Sequence, residues 1–447
     1  MFKKILIANR GEIALRVMRA CRDIGIHTVA VHSTADADSM HVRLADESVC
    51  IGGPLSKDSY LNIPAIITAA TVTNSDAIHP GVGFLSENAE FAEIVRDHNL
   101  VFIGPSPQHI TDMGDKVKAK KIAAKLGIPI VPGSDGGVSS LPEAQSIARN
   151  IGYPILIKAT SGGGGRGMKI VRSESELAEA IQMAKSEAEA SFGNSEVYIE
   201  KYLPHPKHIE IQVIADNFGN VIHLGERDCS LQRRHQKVFE ESPSPVITPE
   251  QRAELGKLVA NSIKQLGYRG VGTIEFLYAS GHFYFIEMNT RLQVEHPITE
   301  QITGIDIAQE QIKIAADDKL SFSQQDVKLS GHAIECRINA EDPDTFAPSP
   351  GLVSSYHSPG GPGVRIDSHL YSGYKIPSYY DSLAAKLIVY EVNRKRCLAR
   401  LKRALSEYVI SGVKTLIPLH LRIIDNPEVI SGRYDITTLE RMMAALQ

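Results

Sequence analysis

The segment Glu287-Met288-Asn289-Thr290-Arg291-Leu292-Gln293-Val294-Glu295 puts its charged and amide residues at odd positions, with Met288, Thr290, Leu292 and Val294 at even ones. In an extended chain alternate side chains share a face. One face therefore carries two carboxylates, two amides and a guanidinium. A solvent-facing edge has such a composition. The preceding Phe283-Tyr284-Phe285-Ile286 is apolar on both faces, which favours burial, and a buried carboxylate needs a partner or a metal. Upstream, Ser280-Gly281 is a turn signal between two strand-like runs, Val271–Tyr278 and His282–Asn289, so the spacing predicts a hairpin. Glu275, inside the apolar string Ile274-Glu275-Phe276-Leu277, then stands across from the polar face. Acidic residues on adjacent strands suit Mg²⁺, a hard cation that takes oxygen ligands and bridges phosphates. Arg291 and Gln293 could hold a small oxyanion, with Glu295 placed as a base.

Gly162-Gly163-Gly164-Gly165-Arg166-Gly167 matches G-x-G-x-x-G. A dinucleotide-binding loop must open a helix. Here both flanks, Pro154–Lys158 and Met168–Val171, are strand-like, and no Gly-Lys-Ser/Thr makes the loop a Walker A. What remains is a hairpin tip: a mobile surface loop, or bare amides that approach phosphate closely, with Lys158 on the leading strand. Gln232-Arg233-Arg234-His235-Gln236-Lys237, followed by Glu240-Glu241, reads as an exposed charged loop or an anion site. Arg337 reads as one half of a surface ion pair or as a functional cation. His205 and His208 read as loop residues with ordinary contacts. Arg394, Lys395, Arg396, Arg400, Lys402 and Arg403 read as a solvated helix face. Glycine loop, lysines, carboxylates and convergent cations together describe phosphoryl-transfer logic, in which positioning and charge neutralisation do most of the catalysis.

The 447 residues suggest about three domains. With 52 acidic against 48 basic residues the net charge is −4, which disfavours a nucleic-acid binder. An apolar content of 43% supports real cores. Cys21, Cys50, Cys229, Cys336 and Cys397 form no CxxC pair, which argues against a disulfide scaffold or a thiolate zinc site and for a reducing compartment. The N-terminus has four apolar residues before a polar pair, short of the roughly 7–15 of a signal core. No run approaches the roughly 20 residues of a membrane helix. The expectation is a cytoplasmic protein with no membrane partner. Strand signals at Ile5–Ala8, His27–His32, Ala77–His79 and Leu100–Gly104 alternate with helical ones, which predicts a parallel sheet with helices on both faces.

Longer motifs then become recognisable. Ala8-Asn9-Arg10-Gly11-Glu12-Ile13-Ala14, Gly83-Phe84-Leu85-Ser86-Glu87-Asn88, Met113-Gly114-Asp115-Lys116, Arg234-His235-Gln236-Lys237 and Glu287 through His296 closely resemble the biotin carboxylases of the ATP-grasp superfamily, from about residue 2 to about residue 442. The resemblance implies an α/β fold. A Rossmann-like pre-ATP-grasp domain would cover 1–114, an ATP-grasp domain 115–330 with a mobile lid at about 131–203, and a C-terminal α+β domain 331–447. It implies an ATP-dependent ligase. ATP phosphorylates bicarbonate to carboxyphosphate, which releases CO₂ and phosphate. The phosphate removes the ureido proton of biotin, and the biotin enolate attacks CO₂. The chain resembles the separate subunit of a bacterial acetyl-CoA carboxylase in fatty acid synthesis. Its implied partners are biotin carboxyl carrier protein, carboxyltransferase subunits and a second copy in a homodimer. The same subunit of a two-chain pyruvate, propionyl-CoA or 2-oxoglutarate carboxylase is the alternative. A non-catalytic ATP-binding subunit is disfavoured by the intact Lys237, Glu295 and Arg337.

Carried over motif by motif, the resemblance implies ATP contacts from Lys116, Lys158, Gly162, Gly163, Gly164, Gly165, Arg166, Gly167, Met168, Glu200, Lys201, Leu203, His208, Gln232, His235, Leu277 and Ile436, with Glu275 and Glu287. Mg²⁺, or Mn²⁺ in its place, would sit on Glu275, Glu287 and Asn289. Bicarbonate would be held by Lys237, Arg291, Gln293 and the amide of Val294, with Glu295 as its base. Arg337 would stabilise the biotin enolate, which makes Lys237, Arg291, Glu295 and Arg337 the catalytic set. Two positions depart from the family. Val82 lies near the biotin pocket where the family usually has Tyr. Pro362 replaces an aromatic or aliphatic residue of the dimer contact, although Arg19, Asp23 and Arg365 keep its charges.

Overall fold

The computed structural model describes residues 1–160 and 168–445. The chain opens with five parallel strands, β1 (Lys4–Ile7), β2 (His27–Ser33), β3 (Glu47–Gly52), β4 (Ala77–His79) and β5 (Val101–Phe102), in the order β3-β2-β1-β4-β5. Alternate residues from Ile5 to Ala8 serve different cores. Ile5 and Ile7 pack with Ile13, Val17 and Met18 of the helix Gly11–Asp23, whereas Leu6 and Ala8 pack with Val31, Ile66 and Phe91 on the other face. A strand buried on both faces gives the continuous apolar run seen in the sequence, and the parallel α/β expectation is met. The edge strand β3 escaped the sequence reading because its residues Glu47, Ser48 and Cys50 are exposed and carry no apolar signal.

A second, antiparallel sheet holds β6 (Ile155–Ala159), β7 (Lys169–Val171) and β8 (Val197–Lys201) in the order β7-β6-β8. Ile155, Ile157, Val197 and Ile199 face the helices Leu141–Ile151 and Glu174–Phe192 through Ala144, Ala148, Leu177 and Ala184. The candidate phosphate loop Gly162, Gly163, Gly164, Gly165, Arg166 and Gly167 lies outside the described residues. Its flanks are strands on both sides, as the sequence predicted, rather than the strand and helix of a dinucleotide fold.

The third sheet organises the site. Strands β9 (Lys207–Ala215), β10 (Val221–Arg233), β11 (Gln236–Ser242), β12 (Gly270–Ala279), β13 (His282–Asn289) and β14 (His332–Asn339) join Leu383–Glu391 and Val364–Ser368. The antiparallel order is β13-β12-β9-β10-β11-β14, then Leu383–Glu391, then Val364–Ser368. One continuous sheet thus runs from the central third of the chain into its last third. Ile211, Val213, Ile274 and Phe276 bury one face under Leu255, Val259 and Ile263 of the helix Pro249–Leu266. That helix starts at a Thr248/Gln251 capping box and stops at Gly267, whose φ of 65° is the left-handed conformation that suits glycine. The intervening residues His208, Glu210, Gln212, Thr273 and Glu275 form a polar face that is nonetheless buried.

The predicted hairpin is present, with Glu275 directly opposite Glu287. The extended reading of Glu287–Glu295 needs correction. The strand ends at Asn289, Arg291 sits in a bend and Val294–Glu295 in a turn that leads into the helix His296–Thr303. Arg394 also departs from the solvated face assigned to its helix. It reaches Glu241, buried on β11, through Nε (2.7 Å) and Nη2 (2.9 Å).

Candidate active site

Lys237 is the hub of the polar face. Its ammonium donates to Glu210 (2.6 Å), Glu275 (2.9 Å) and Glu295 (2.6 Å), which come from β9, β12 and the turn before His296. Burial opposes its charge, but the three carboxylates overcome that and hold its pKa well above the usual lysine value. Lys237 is placed by the β10–β11 hairpin, whose two turn residues Arg234 and His235 both have positive φ (48° and 65°). Such a turn normally takes Asn-Gly, and non-glycine residues there cost free energy. Arg234 and His235 are exposed and Gln232 is buried, so only the tip of this basic cluster fits the exposed-loop reading.

Behind Lys237 lies Arg227, 0% exposed. It is paired with Glu210 and donates to Gln212 (2.8 Å), Thr299 (2.9 Å), Thr273 (3.2 Å) and Gln293 (2.9 Å). Burial would raise the Glu275 carboxyl, but Lys237 and His208 hold it well below the usual range. Gln232 Nε2 donates to His208 Nδ1 (3.0 Å), and His208 Nε2 lies 2.9 Å from a Glu275 oxygen. His208 lies on strand β9, not in a loop. Glu210, Glu275 and His208 are close enough to share a metal, but the ammonium already bridges both carboxylates.

Glu275 also accepts from Asn289 (2.8 Å) and Gln293 (2.7 Å). Glu287 is half-exposed, with Lys116 of the helix Lys116–Lys125 3.7 Å away. Glu275, Glu287 and Asn289 offer an all-oxygen set on two paired strands, which fits a hard divalent cation that also meets phosphate. Arg291 donates to Asn289 (3.0 Å) and to Glu87 (2.8 Å), and Glu87 also accepts from the amide of Thr290 (3.0 Å). Glu87 thus ties the segment after β4 to the loop that follows β13.

Glu295 sits between two cations, Lys237 and Arg337 (2.8 Å). Its burial is outweighed by these charges and by Arg227, so its carboxyl is held well below the normal range and stays ionised. Arg337 lies within β14 and donates through Nε to Glu240 (2.6 Å). It is not a surface ion pair. The Val294 carbonyl accepts from Lys386 (2.8 Å).

The nucleotide candidates gather at the second sheet and the near edge of the third. Glu200 is paired with Lys120 and with Lys158 (2.6 Å). Lys201 points the other way, onto the carbonyls of Gly152 (2.8 Å) and Tyr153 (3.2 Å). Leu277 is the cross-strand partner of His208. The Ile436 amide donates to Pro206 (3.1 Å), close in sequence to the half-buried Leu203. Met168, at the end of the glycine loop, is half-buried. Val82 is half-buried against the first apolar core, and its carbonyl accepts from Asn9 (2.8 Å).

The sequence matches the model of the biotin carboxylase N-terminal domain over residues 1–110, of the carbamoyl-phosphate synthase L chain ATP-binding domain over 115–323, and of the biotin carboxylase C-terminal domain over 335–441. It is 59% identical to a biotin carboxylase of Haemophilus influenzae over 99% of both chains. The chain belongs to the biotin carboxylase family. Among solved structures, the biotin carboxylase–β,γ-ATP complex of Campylobacter jejuni matches with a TM-score of 0.92 at 50% identity, covering 99% of each chain. The dimeric biotin carboxylase domain of Hydrogenobacter thermophilus 2-oxoglutarate carboxylase, in complex with magnesium ADP, ADP and bicarbonate, matches with a TM-score of 0.91 at 49% identity, covering 100% of this chain and 99% of that one. Biotin carboxylase activity makes the chain an ATP-dependent ligase on an ATP-grasp fold.

Several residues that build this cluster carried no signal in the sequence reading, Glu210, Arg227 and Lys120, while Glu240 was quoted only beside the basic run and Glu87 only as part of a motif. On β9 the alternation His208, Ile209, Glu210, Ile211, Gln212 looks like a strand with one wet face. The available signal was Arg227 itself, a charge inside the strand-like run Val221–Leu231, four residues after His223.

Proposed function

We propose that the chain carries out the first half-reaction of a multi-subunit acetyl-CoA carboxylase, transferring bicarbonate carbon to biotin on a carrier protein. The observation that carries this reading is the series of cations and carboxylates on one sheet face, from Glu275 through Lys237 and Glu295 to Arg337. ATP would lie between the second and third sheets, held by Lys116, Lys158, Glu200, Lys201, Met168, Leu203, His208, Gln232, His235, Leu277 and Ile436 with the Gly162–Gly167 loop. Glu275, Glu287 and Asn289 would hold Mg²⁺, which neutralises the phosphate charge when bound. Lys237, Arg291, Gln293 and the Val294 amide would hold bicarbonate with an oxygen aimed at the γ-phosphorus. Glu295 would take its proton. An incoming anion draws Lys237 and Arg337 toward itself, which raises the basicity of Glu295 when a base is needed. ADP leaves, carboxyphosphate breaks to CO₂ and phosphate, and the phosphate takes the biotin N–H proton while Arg337 stabilises the enolate.

The three units expected at 1–114, 115–330 and 331–447 fit this division of labour, with the part at about 131–203 covering the nucleotide. We assign a homodimer, as in the dimeric relative, with Arg19 and Arg365 at its contact, and a cytoplasmic location. No described helix is long and apolar enough to cross a membrane. The relative from a 2-oxoglutarate carboxylase supports the second reading, the same subunit with a different acyl acceptor.

Two variants test the biotin half of the site. Arg337→Ala should lower biotin carboxylation by roughly 10²-fold or more while bicarbonate-dependent ATP hydrolysis falls far less. Equal losses in both would count against an enolate role. Val82→Tyr should lower the Michaelis constant for free biotin severalfold, and an unchanged constant would remove position 82 from the pocket.

A further inference from the structure

Glu240 and Glu335 face each other directly across β11 and β14, and both are 0% exposed. Arg337 takes one oxygen of Glu240. Among the described residues, no donor reaches the other oxygen of Glu240 or either oxygen of Glu335. Lys386, opposite Arg337 on the next strand, is committed to the Val294 carbonyl and to Glu12 (3.2 Å). Lys237 is committed to its three carboxylates, and Glu295 adds a further negative charge from the turn. The helix His296–Thr303 packs over this part of the sheet. Of its titratable groups, Glu300 is held by Arg16 and Arg365, and burial with the nearby cations keeps His296 neutral. Two glutamates opposed in a dry site cannot both ionise, and one shared proton would give a hydrogen bond to two of the three bare oxygens.

We propose that Glu335 is a positioning residue for Arg337: it keeps its proton and donates it to the free oxygen of Glu240, so that Glu240 remains the anion that orients the guanidinium. The functional consequence rests on the reading of Arg337 as the enolate stabiliser. Burial, reinforced by the charge of Glu295, pushes the Glu240 carboxyl up to about 7 despite Arg337, and burial with the charges of Glu240 and Glu295 raises Glu335 well above the carboxylate range despite Lys386. A proton retained on the pair explains how Arg337 can be gripped from behind by Glu240 and still face Glu295. Without it, the repulsion would displace Glu240 and free the guanidinium to rotate.

The test uses the full-length enzyme with Glu335→Gln and Glu335→Leu. Infrared difference spectra at neutral pH should show the carbonyl band of a protonated buried carboxyl in the native protein, and Glu335→Gln should remove it. The amide of Gln still donates, so biotin-dependent turnover should stay within about threefold of native, whereas Glu335→Leu should lose roughly tenfold or more relative to bicarbonate-dependent ATP hydrolysis. No such band, a band that persists in Glu335→Gln, or a Gln variant as impaired as Leu would overturn the proposal. The infrared result is independent of biotin. If the band behaves as expected but Arg337→Ala fails to separate the two rates, the reading of Arg337 fails and the shared proton stands.

Discussion

Glu295→Gln should abolish most of both partial reactions together, lowering bicarbonate-dependent ATP hydrolysis and biotin carboxylation by roughly 10²–10⁴-fold, the range for a lost general base. The amide has the same shape but accepts no proton. Lys237 keeps Glu210 and Glu275, and Arg337 keeps Glu240, so the cations stay near their places. ATP affinity should change little, because Lys158, Lys120 and Glu200 belong to the second sheet and its neighbouring helix. Steady-state rates with and without bicarbonate and biotin, together with nucleotide binding by calorimetry, check this. A fall in the biotin-dependent rate alone would move Glu295 from the bicarbonate step to the biotin step.

Arg227→Met should be the most damaging substitution for the fold. Arg227 is fully buried and serves Glu210, Gln212, Thr273, Gln293 and Thr299 on four separate segments. Removing one partner of a buried, hydrogen-bonded ion pair typically costs about 3–5 kcal/mol, because the remaining charge stays buried. Lys237 would still face Glu210, which holds the cost within that range. Denaturant unfolding followed by a probe of the central sheet measures it, since a chain of this size need not unfold in one step. A loss below about 1 kcal/mol would mean that water or another cation replaces the guanidinium.

These two residues also mark where the sequence was legible and where it was not. The Val271–Asn289 hairpin could be read because its signals are local: apolar strands, a Ser280-Gly281 turn and one acid inside an apolar string. The pairing of Glu275 with Glu287 follows from that register. The polar run beyond Asn289 was read as extended, yet it bends. Its odd residues still converge, because the bend folds Gln293 back over β12 and β10, where it meets Glu275 and Arg227, and brings Glu295 to Lys237 and Arg337. Glu210, Arg227 and Glu335 went unread, and Glu240 was quoted without a role, for a different reason. Each sits in a strand whose alternation suits one wet face, and only the order of a sheet built from distant segments buries that face. Arg394 was misread in the same way, since its partner Glu241 is 153 residues away. Leu203 and Ile436 entered through family resemblance alone; neither carries a side chain from which chemistry could be inferred.

The most direct measurement of the central claim is transfer of carbon from labelled bicarbonate to biotin by the purified chain with ATP and Mg²⁺. The account predicts acid-labile label on biotin that requires ATP and biotin, with ADP formed in equal amount. ATP hydrolysis that depends on neither bicarbonate nor biotin, with no label transferred, would contradict it.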